Sequence, residues 1–372
     1  MQAFTANDHA HMARALRLAE RGMHTTQPNP RVGCVIAQGT DIVGTGWHRR
    51  AGEPHAEVFA LREAGARARG ATVYATLEPC GRSGRTPPCV NALIEAGVAR
   101  VVFASEDVSQ HASDASQRLR DAGIGVESGL MREVARELNR GFFSRIERGR
   151  PWLRLKLAMS LDGRTALANG ASKWITSAAA RADVQRWRAR SSAILTGSGS
   201  ALADDPRLTV RLQTDAPDGG EFVPPLRVLL DRELRTPAHA QLLDGSVPTL
   251  VFHAQASTPQ DGRFARVECL AIASDAAGLE LRDVLRVLAD RGCNEVQVEA
   301  GPRLAGAWLA AGLVDELLLY VAPVLLGDDA RPLLHLPALA SLAQRWALRV
   351  VEQRQVGKDW RLLLRPGIGP EA

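Results

Sequence analysis

The spacing of apolar positions along the chain switches repeatedly between helical and alternating, and each switch predicts an element. Met12, Ala15, Leu16 and Ala19 recur at helical spacing behind Asn7 or Asp8 as cap, which predicts a helix to about Arg21 with Gly22 as its stop. Gln27-Pro28-Asn29-Pro30 reads as a turn. Val32 to Ala37 and Ile42 to Trp47 then read as two strands joined in a hairpin by Gln38-Gly39-Thr40-Asp41. A helix over Pro54 to Ala64, a strand over Ala71 to Leu77, a helix Val90 to Ala96 opened by Cys89, and a strand over Ala99 to Ala104 follow. Weaker helical patterns lie near Ala115 to Ala122 and Glu133 to Arg140. Strands alternating with helices predict an α/β/α sandwich for this half.

Arg145 to Pro151 is polar and ends in proline, and the pattern starts afresh after it. With 372 residues, the chain is long enough for two cores, so we expect domains at 1–148 and 149–372. The second half opens on a strand from Trp152 to Met159, in which Arg154 and Lys156 alternate with apolar neighbours. A helix from Ser177 to about Arg190, a strand from Ala193 to Thr196, and a loop Gly197-Ser198-Gly199-Ser200 come next. Short strands at Leu226 to Leu230 and Thr249 to Phe252, a helix at Leu281 to Ala289, a strand at Glu295 to Glu299, a helix at Arg303 to Ala310 and a strand at Leu317 to Val321 complete a second α/β domain.

Composition adds little to fold but bounds function. The net charge of +5 arises from 46 basic and 41 acidic residues, so it is dispersed. It suits anionic small ligands such as phosphates, and no lysine-rich tail argues for nucleic acid or membrane. Five cysteines, Cys34, Cys80, Cys89, Cys269 and Cys293, are too few and too odd in number for a disulfide framework, and fit a reducing compartment. Met1 to Asp8 has no apolar signal core, and no run approaches the ~18 apolar residues of a membrane span. A cytoplasmic enzyme is the expectation.

The strongest chemical signal is His55-Ala56-Glu57 taken with Pro79-Cys80 and Cys89. One imidazole and two thiols form a three-ligand zinc set that leaves the fourth position open for water, as catalytic zinc requires. Glu57, two residues after the histidine, can carry protons without binding the metal. The residues match the H-x-E…P-C-x-x-C pattern of zinc nucleobase deaminases, except that eight residues rather than two separate the cysteines. That segment, rich in Gly, Pro and Arg, must loop out, so that Cys89 starts the next helix, where a thiol ionises more easily. Asn29 and His48 sit at strand ends, where sites are usually built.

In the second half, Val298 to Ala307 runs from strand to helix through Gly301-Pro302, and such a helix start offers bare N–H groups to a phosphate. Ser172, Trp174, Arg188 and Arg211 are further candidates, although packing and the helix dipole explain them singly. Two readings stand on the residues alone: a nucleotide deaminase with a regulatory nucleotide-binding module, and a structural zinc protein or RNA-binding adaptor; a third, a two-step enzyme, rests on the resemblance that follows.

The chain resembles the bifunctional deaminase/reductases of bacterial riboflavin biosynthesis. The resemblance is carried by Asn29-Pro30-Arg31-Val32-Gly33-Cys34, Gly52 to Glu57, Thr76-Leu77-Glu78-Pro79-Cys80 and Gly84-Arg85-Thr86-Pro87-Pro88-Cys89. Leu155 to Thr165, Trp174 to Ser177, Leu202 to Pro206 and Val298 to Pro302 carry it through the second half. It implies a cytidine-deaminase-like α/β/α sandwich followed by a dihydrofolate-reductase-like α/β domain. The first would deaminate 2,5-diamino-6-ribosylamino-4(3H)-pyrimidinone 5′-phosphate, with zinc on His55, Cys80 and Cys89, and Glu57 as general base and then acid. Asn29, His48, Arg82 and Arg85 would meet ring and phosphate. The second would reduce the ribosyl group to ribityl with NADPH. Ala158, Trp174, Ser200, Asp204 and the turn Gly301, Pro302, Arg303, Leu304, Ala305, Gly306 and Ala307 would hold the cofactor. Ser172, Arg188, Leu208, Arg211 and Glu299 would hold the substrate, with Lys156 facing the sugar. The implied partner is a phosphorylated pyrimidine, without nucleic acid or membrane, in a homo-oligomer. Two departures from the family pattern stand out: Arg82 where histidine is common, and Arg232 after Asp231 where serine is.

Overall fold

The computed structural model describes residues 4–81, 88–109, 114–212, 221–259 and 262–367. By internal contacts the chain divides into two compact units, one of residues 1–149 with 221–223 and one of residues 150–220 with 224–372.

The first unit runs α1 (Ala6–Glu20), β1 (Gly33–Gln38), β2 (Asp41–Trp47), α2 (Ala56–Ala64), β3 (Thr72–Leu77), α3 (Cys89–Ala96), β4 (Arg100–Ser105), α4 (Ala115–Asp121), β5 (Gly125–Ser128), α5 (Arg132–Leu138) and α6 (Arg140–Arg148). Its sheet has the order β2-β1-β3-β4-β5, antiparallel around β1 and parallel from β3 to β5. Successive residues of a strand point to opposite faces, and here both faces are apolar. Cys34 and Ile36 of β1 pack with α2, α3, α4 and α6 on one side, while Val35 and Ala37 pack with α1 and α5 on the other. The expected sandwich is therefore present. Arg145 belongs to the end of α6, a helix the apolar pattern did not predict, which stops at Gly149 in left-handed conformation. A helix covering one face of a small unit can be polar over most of its circumference.

Glycine brings α2 unusually close to the sheet. A Cβ on Gly46 of β2 would lie 2.1 Å from the Ala56 carbonyl, and one on Gly44 would lie 2.2 Å from that of Ala60. Only hydrogen at these positions lets the first turn of α2 lie against β2.

The second unit comprises β6 (Trp152–Ser160), β7 (Arg164–Ala166), α7 (Ala178–Ala189), β8 (Ala193–Gly197), α8 (Ser198–Asp204), β9 (Leu226–Leu230), β10 (Thr249–Ala254), β11 (Glu268–Ile272), α9 (Leu281–Asp290), β12 (Glu295–Val298), α10 (Pro302–Ala310), β13 (Glu316–Ala322), β14 (Arg331–Pro332), β15 (Leu348–Val356) and β16 (Asp359–Pro366). Among the described residues the main sheet has nine strands, in the order β11-β10-β9-β8-β12-β6-β13-β16-β15. It is parallel from β11 to β13 and closes with an antiparallel hairpin. Leu153, Leu155 and Leu157 of β6 join the core beneath α9 and α10. Their alternates, Arg154, Lys156 and Ala158, face the side covered by α7.

Arg154 is fully buried and bridges Glu295 of β12 and Glu316 of β13, each at 2.8 Å. The expected Gly197 to Ser200 loop is instead the start of α8, because β8 delivers the chain there and Ala201 is buried in the core. Strands β5, β11, β15 and β16 were not legible in the apolar pattern; β15 is almost wholly exposed and needs no apolar alternation.

Gly46→Ala is expected to lower the denaturant midpoint of the first unit, by about 1–3 kcal/mol, since the added methyl cannot be accommodated without moving α2. Arg154→Met, which leaves two carboxylates buried without their central partner, is expected to cost the second unit about 3–5 kcal/mol in the same measurement.

Candidate active sites

Three elements of the first unit meet at one point. His55 is the N-cap residue of α2, Cys80 follows the carboxyl end of β3, and Cys89 is the first residue of α3. His55 Nδ1 lies 3.2 Å from Cys89 Sγ and 3.5 Å from Cys80 Sγ. The ligand atoms of the three residues all lie within 4.8 Å of one another. Two bonds tie the cysteine segments directly: the Cys89 amide donates to Cys80 Sγ at 3.2 Å, and the Val90 amide to the Cys80 carbonyl at 3.3 Å.

Glu57 stands in the first turn of α2 and is only 3% exposed. Its Oε2 is buried with no hydrogen-bond partner. Burial raises its pKa, and the neighbouring His55 opposes the rise. His55 itself is raised, chiefly by its hydrogen bond with Cys80. The hydrogen bond from Cys89, reinforced by one from His55, brings Cys80 down to about 4. Cys89 is pushed up by that same bond and by burial, so its place in the first turn of a helix does not decide its ionisation. Three ligand atoms at this spacing, with a buried carboxylate beside them that keeps one oxygen unpartnered, fit a zinc ion with one open position.

Asn29 and His48 belong to the same site. Asn29 Nδ2 lies 3.1 Å from His48 Nε2, and His48 Nδ1 lies 3.3 Å from the Pro54 carbonyl. The His48 ring meets that of His55 edge to face at 5.5 Å. Burial lowers the His48 pKa to about 4, so the ring is neutral. With Nδ1–H donating to Pro54, Nε2 accepts from the Asn29 amide, and this fixes which way the amide faces. Arg82 and Arg85 lie outside the described residues.

The second unit holds a cleft of about 1700 Å³ at the carboxyl ends of its parallel strands. Of the residues expected there, Lys156, Ala158, Ser172, Arg188, Ser200, Asp204, Leu208, Glu299, Gly301, Pro302, Arg303, Leu304 and Ala307 line it. Arg188 forks onto Glu299 at 2.7 and 2.8 Å and donates to the Thr209 carbonyl at 2.9 Å. Gln297 donates to Glu299 at 2.8 Å. Burial alone would raise the Glu299 pKa, but Arg188 outweighs it and holds the carboxyl at about 2. Burial draws the Lys156 ammonium down, partly offset by Glu299. Gly301 is the N-cap residue of α10, and Pro302 opens its first turn.

Four expected residues stand elsewhere. Trp174 is 70% exposed under the Arg181 guanidinium. Arg211 is exposed, with its amide bonded to Gln185. Ala305 is in the core, and Gly306 backs against the His335 carbonyl. The cleft also recruits Thr196, Arg232, Arg235 and Arg331, which the sequence reading had not placed there as ligands. They come from segments far apart in the chain, so no local spacing marks them.

Residues 5–105 match the family model for the cytidine and deoxycytidylate deaminase zinc-binding region, and residues 151–362 that for the RibD C-terminal domain. The riboflavin biosynthesis protein RibD of Escherichia coli is 50% identical over 95% of this chain and 97% of its own length. That of Haemophilus influenzae is 46% identical over 98% and 99%. Among solved structures, RibD of Acinetobacter baumannii superposes with a TM-score of 0.89 at 42% identity, covering 97% of this chain and 99% of its own. A deaminase/reductase of Thermotoga maritima gives 0.85 at 30%, with the same coverage. The chain thus belongs to the RibD family, the two-domain enzymes of riboflavin biosynthesis that join a zinc-dependent deaminase to an NADPH-dependent reductase.

Proposed function

We propose that the first unit hydrolyses the amino group of 2,5-diamino-6-ribosylamino-4(3H)-pyrimidinone 5′-phosphate, with His55, Cys80 and Cys89 holding zinc and Glu57 moving the protons. Zinc, when bound, supplies the Lewis acidity that lets water react near neutral pH. The observation that carries the reading is the unpartnered, buried Oε2 of Glu57 beside the three ligand atoms. A carboxyl whose pKa is raised by burial takes up a proton readily and gives it back as readily near neutrality. Glu57 accepts a proton from the attacking water and delivers it to the departing amino nitrogen, so the ring gains a carbonyl and ammonia leaves. Asn29, its amide oriented by His48, meets the pyrimidine ring. Arg85, from the inter-cysteine segment, serves the phosphate.

The second unit then reduces the ribosyl group to ribityl, giving 5-amino-6-ribitylamino-uracil 5′-phosphate. NADPH supplies the hydride. The start of α10 at Gly301 to Leu304, together with Ala158, Ser200, Asp204 and Ala307, holds the cofactor along the cleft wall. Ala305 and Gly306, on the buried face of α10, back that wall without lining it. Lys156 faces the sugar and offers it a hydrogen bond from an ammonium weakened by burial. Ser172, Arg188, Leu208, Arg211 and Glu299 hold the substrate, and the Arg188–Glu299 fork keeps both charges in place before it arrives.

The reading extends to the setting. No described helix is long and apolar enough to cross a membrane, and the charged lining suits small phosphorylated ligands rather than nucleic acid, in keeping with a cytoplasmic enzyme. The domain boundary lies near 148/149, and the protein is a homo-oligomer. The edge strand β15 exposes Leu348, Val350 and Val351, with Trp346 and Trp360 nearby, an apolar edge that a second copy would cover.

Glu57→Gln is expected to reduce ammonia release about 10²–10⁴-fold while zinc content, measured by metal analysis, is retained. Normal turnover in that variant would remove the mechanism. Lys156→Met should slow substrate-dependent loss of the reduced-nicotinamide absorbance at least tenfold with the dissociation constant of NADPH unchanged, since the lysine serves the sugar. A Val350→Lys exchange should shift the mass measured by light scattering towards that of one chain.

A further inference from the structure

The two thiol segments are bridged by a residue that touches neither sulfur. Arg118 lies on α4. Its Nη1 donates to the Gly81 carbonyl at 2.7 Å, and its Nη2 donates to Asn91 Oδ1. Gly81 immediately follows Cys80, and Asn91 is two residues beyond Cys89 on α3. One planar guanidinium therefore spans the strand end that carries one ligand and the helix start that carries the other. Asp114, the N-cap residue of α4, lies 3.9 Å from the same guanidinium.

This geometry matters because eight residues separate the two cysteines in the chain. A short C-x-x-C turn presents two thiols from one local structure. A longer excursion leaves their separation to whatever holds its two ends together. Two backbone bonds already do so, and both fall on Cys80 itself. The Arg118 bridge acts one residue outside them and fastens both ends to α4. A third element, outside both ligand segments, thereby sets their spacing. Lysine could not replace it, since an ammonium is a single point while the fork has two arms.

We propose that Arg118 is a positioning residue for the zinc site, holding Cys80 and Cys89 at the separation the metal needs; this rests on the assignment of those two cysteines and His55 as its ligands. Outer groups that orient metal ligands typically contribute 10–100-fold in affinity. The bridge also gives α4 a part in the first reaction, although none of its side chains belongs to the ligand set.

The test is equilibrium competition for zinc between the full-length protein and a chromogenic chelator, with the absorption spectrum of the cobalt(II)-loaded protein as a second readout. Arg118→Met is expected to bind zinc about 10–100-fold more weakly, and to show weakened thiolate-to-cobalt bands. Arg118→Lys should recover part of the loss through the Gly81 carbonyl, and Asn91→Ala, which severs one arm only, should lose several-fold. Wild-type affinity and an unchanged cobalt spectrum in Arg118→Met would overturn the proposal. Should Arg118→Met fail to fold by circular dichroism, Asn91→Ala decides, and wild-type values there count against the bridge. His55→Ala is measured in parallel. If it binds zinc as tightly as wild type, the ligand assignment fails, and the proposal with it; if it loses zinc while Arg118→Met does not, only the proposal fails.

Discussion

A carboxylate oxygen buried without a hydrogen-bond partner is costly to fold, and the first unit is arranged around one, Oε2 of Glu57. Glu57 is held beneath the start of α2, where the helix lies against β2 closely enough that only glycine fits at Gly44 and Gly46. The energetic penalty of the isolated oxygen is useful chemistry, because burial raises the affinity of Glu57 for a proton. The same closeness brings His55, as N-cap residue, to the end of β3 and the start of α3. The placing of His55 and the proton affinity of Glu57 thus follow from a single packing constraint.

The second unit treats charge differently at its two ends. Near the amino ends of its central strands, Arg154 is sealed between Glu295 and Glu316, with Arg190 and Arg365 adding further donors to the two carboxylates. Two residues along β6 on the same face, Lys156 lines the cleft, next to an Arg188–Glu299 pair that is mostly buried. Period-two alternation carries both residues to one side of the sheet; depth along the strand separates structural from functional charge. A parallel sheet opens at its carboxyl ends because the chain must leave each strand there by a loop or helix start, and those supply the glycines and bare N–H groups of the cleft.

Several expectations failed for reasons that particular residues make plain. Gly197-Ser198-Gly199-Ser200 has the composition of a loop, yet it becomes the first turn of α8 because Ala201 is drawn into the core. Arg145 and Arg148 belong to a helix whose buried face is Phe142, Phe143 and Ser144, too short a stripe to stand out against its charges. Strand β15 escaped notice because an edge strand with both faces near solvent carries no apolar period.

What the sequence determined by itself was the local chemistry: the H-A-E triplet, the two cysteines and their long separation, the Gly-Pro entry to α10, and the alternation that makes both halves α/β. These signals are short in range, so residue type and spacing suffice to read them. Tertiary structure alone decided which distant groups join them. Arg118 reaches both cysteine segments from α4, His48 turns the Asn29 amide across 19 positions, and Glu299 meets Arg188 across 111. No periodicity records such pairings, because they depend on the order in which strands assemble in the sheet and on how closely glycine allows a helix to approach.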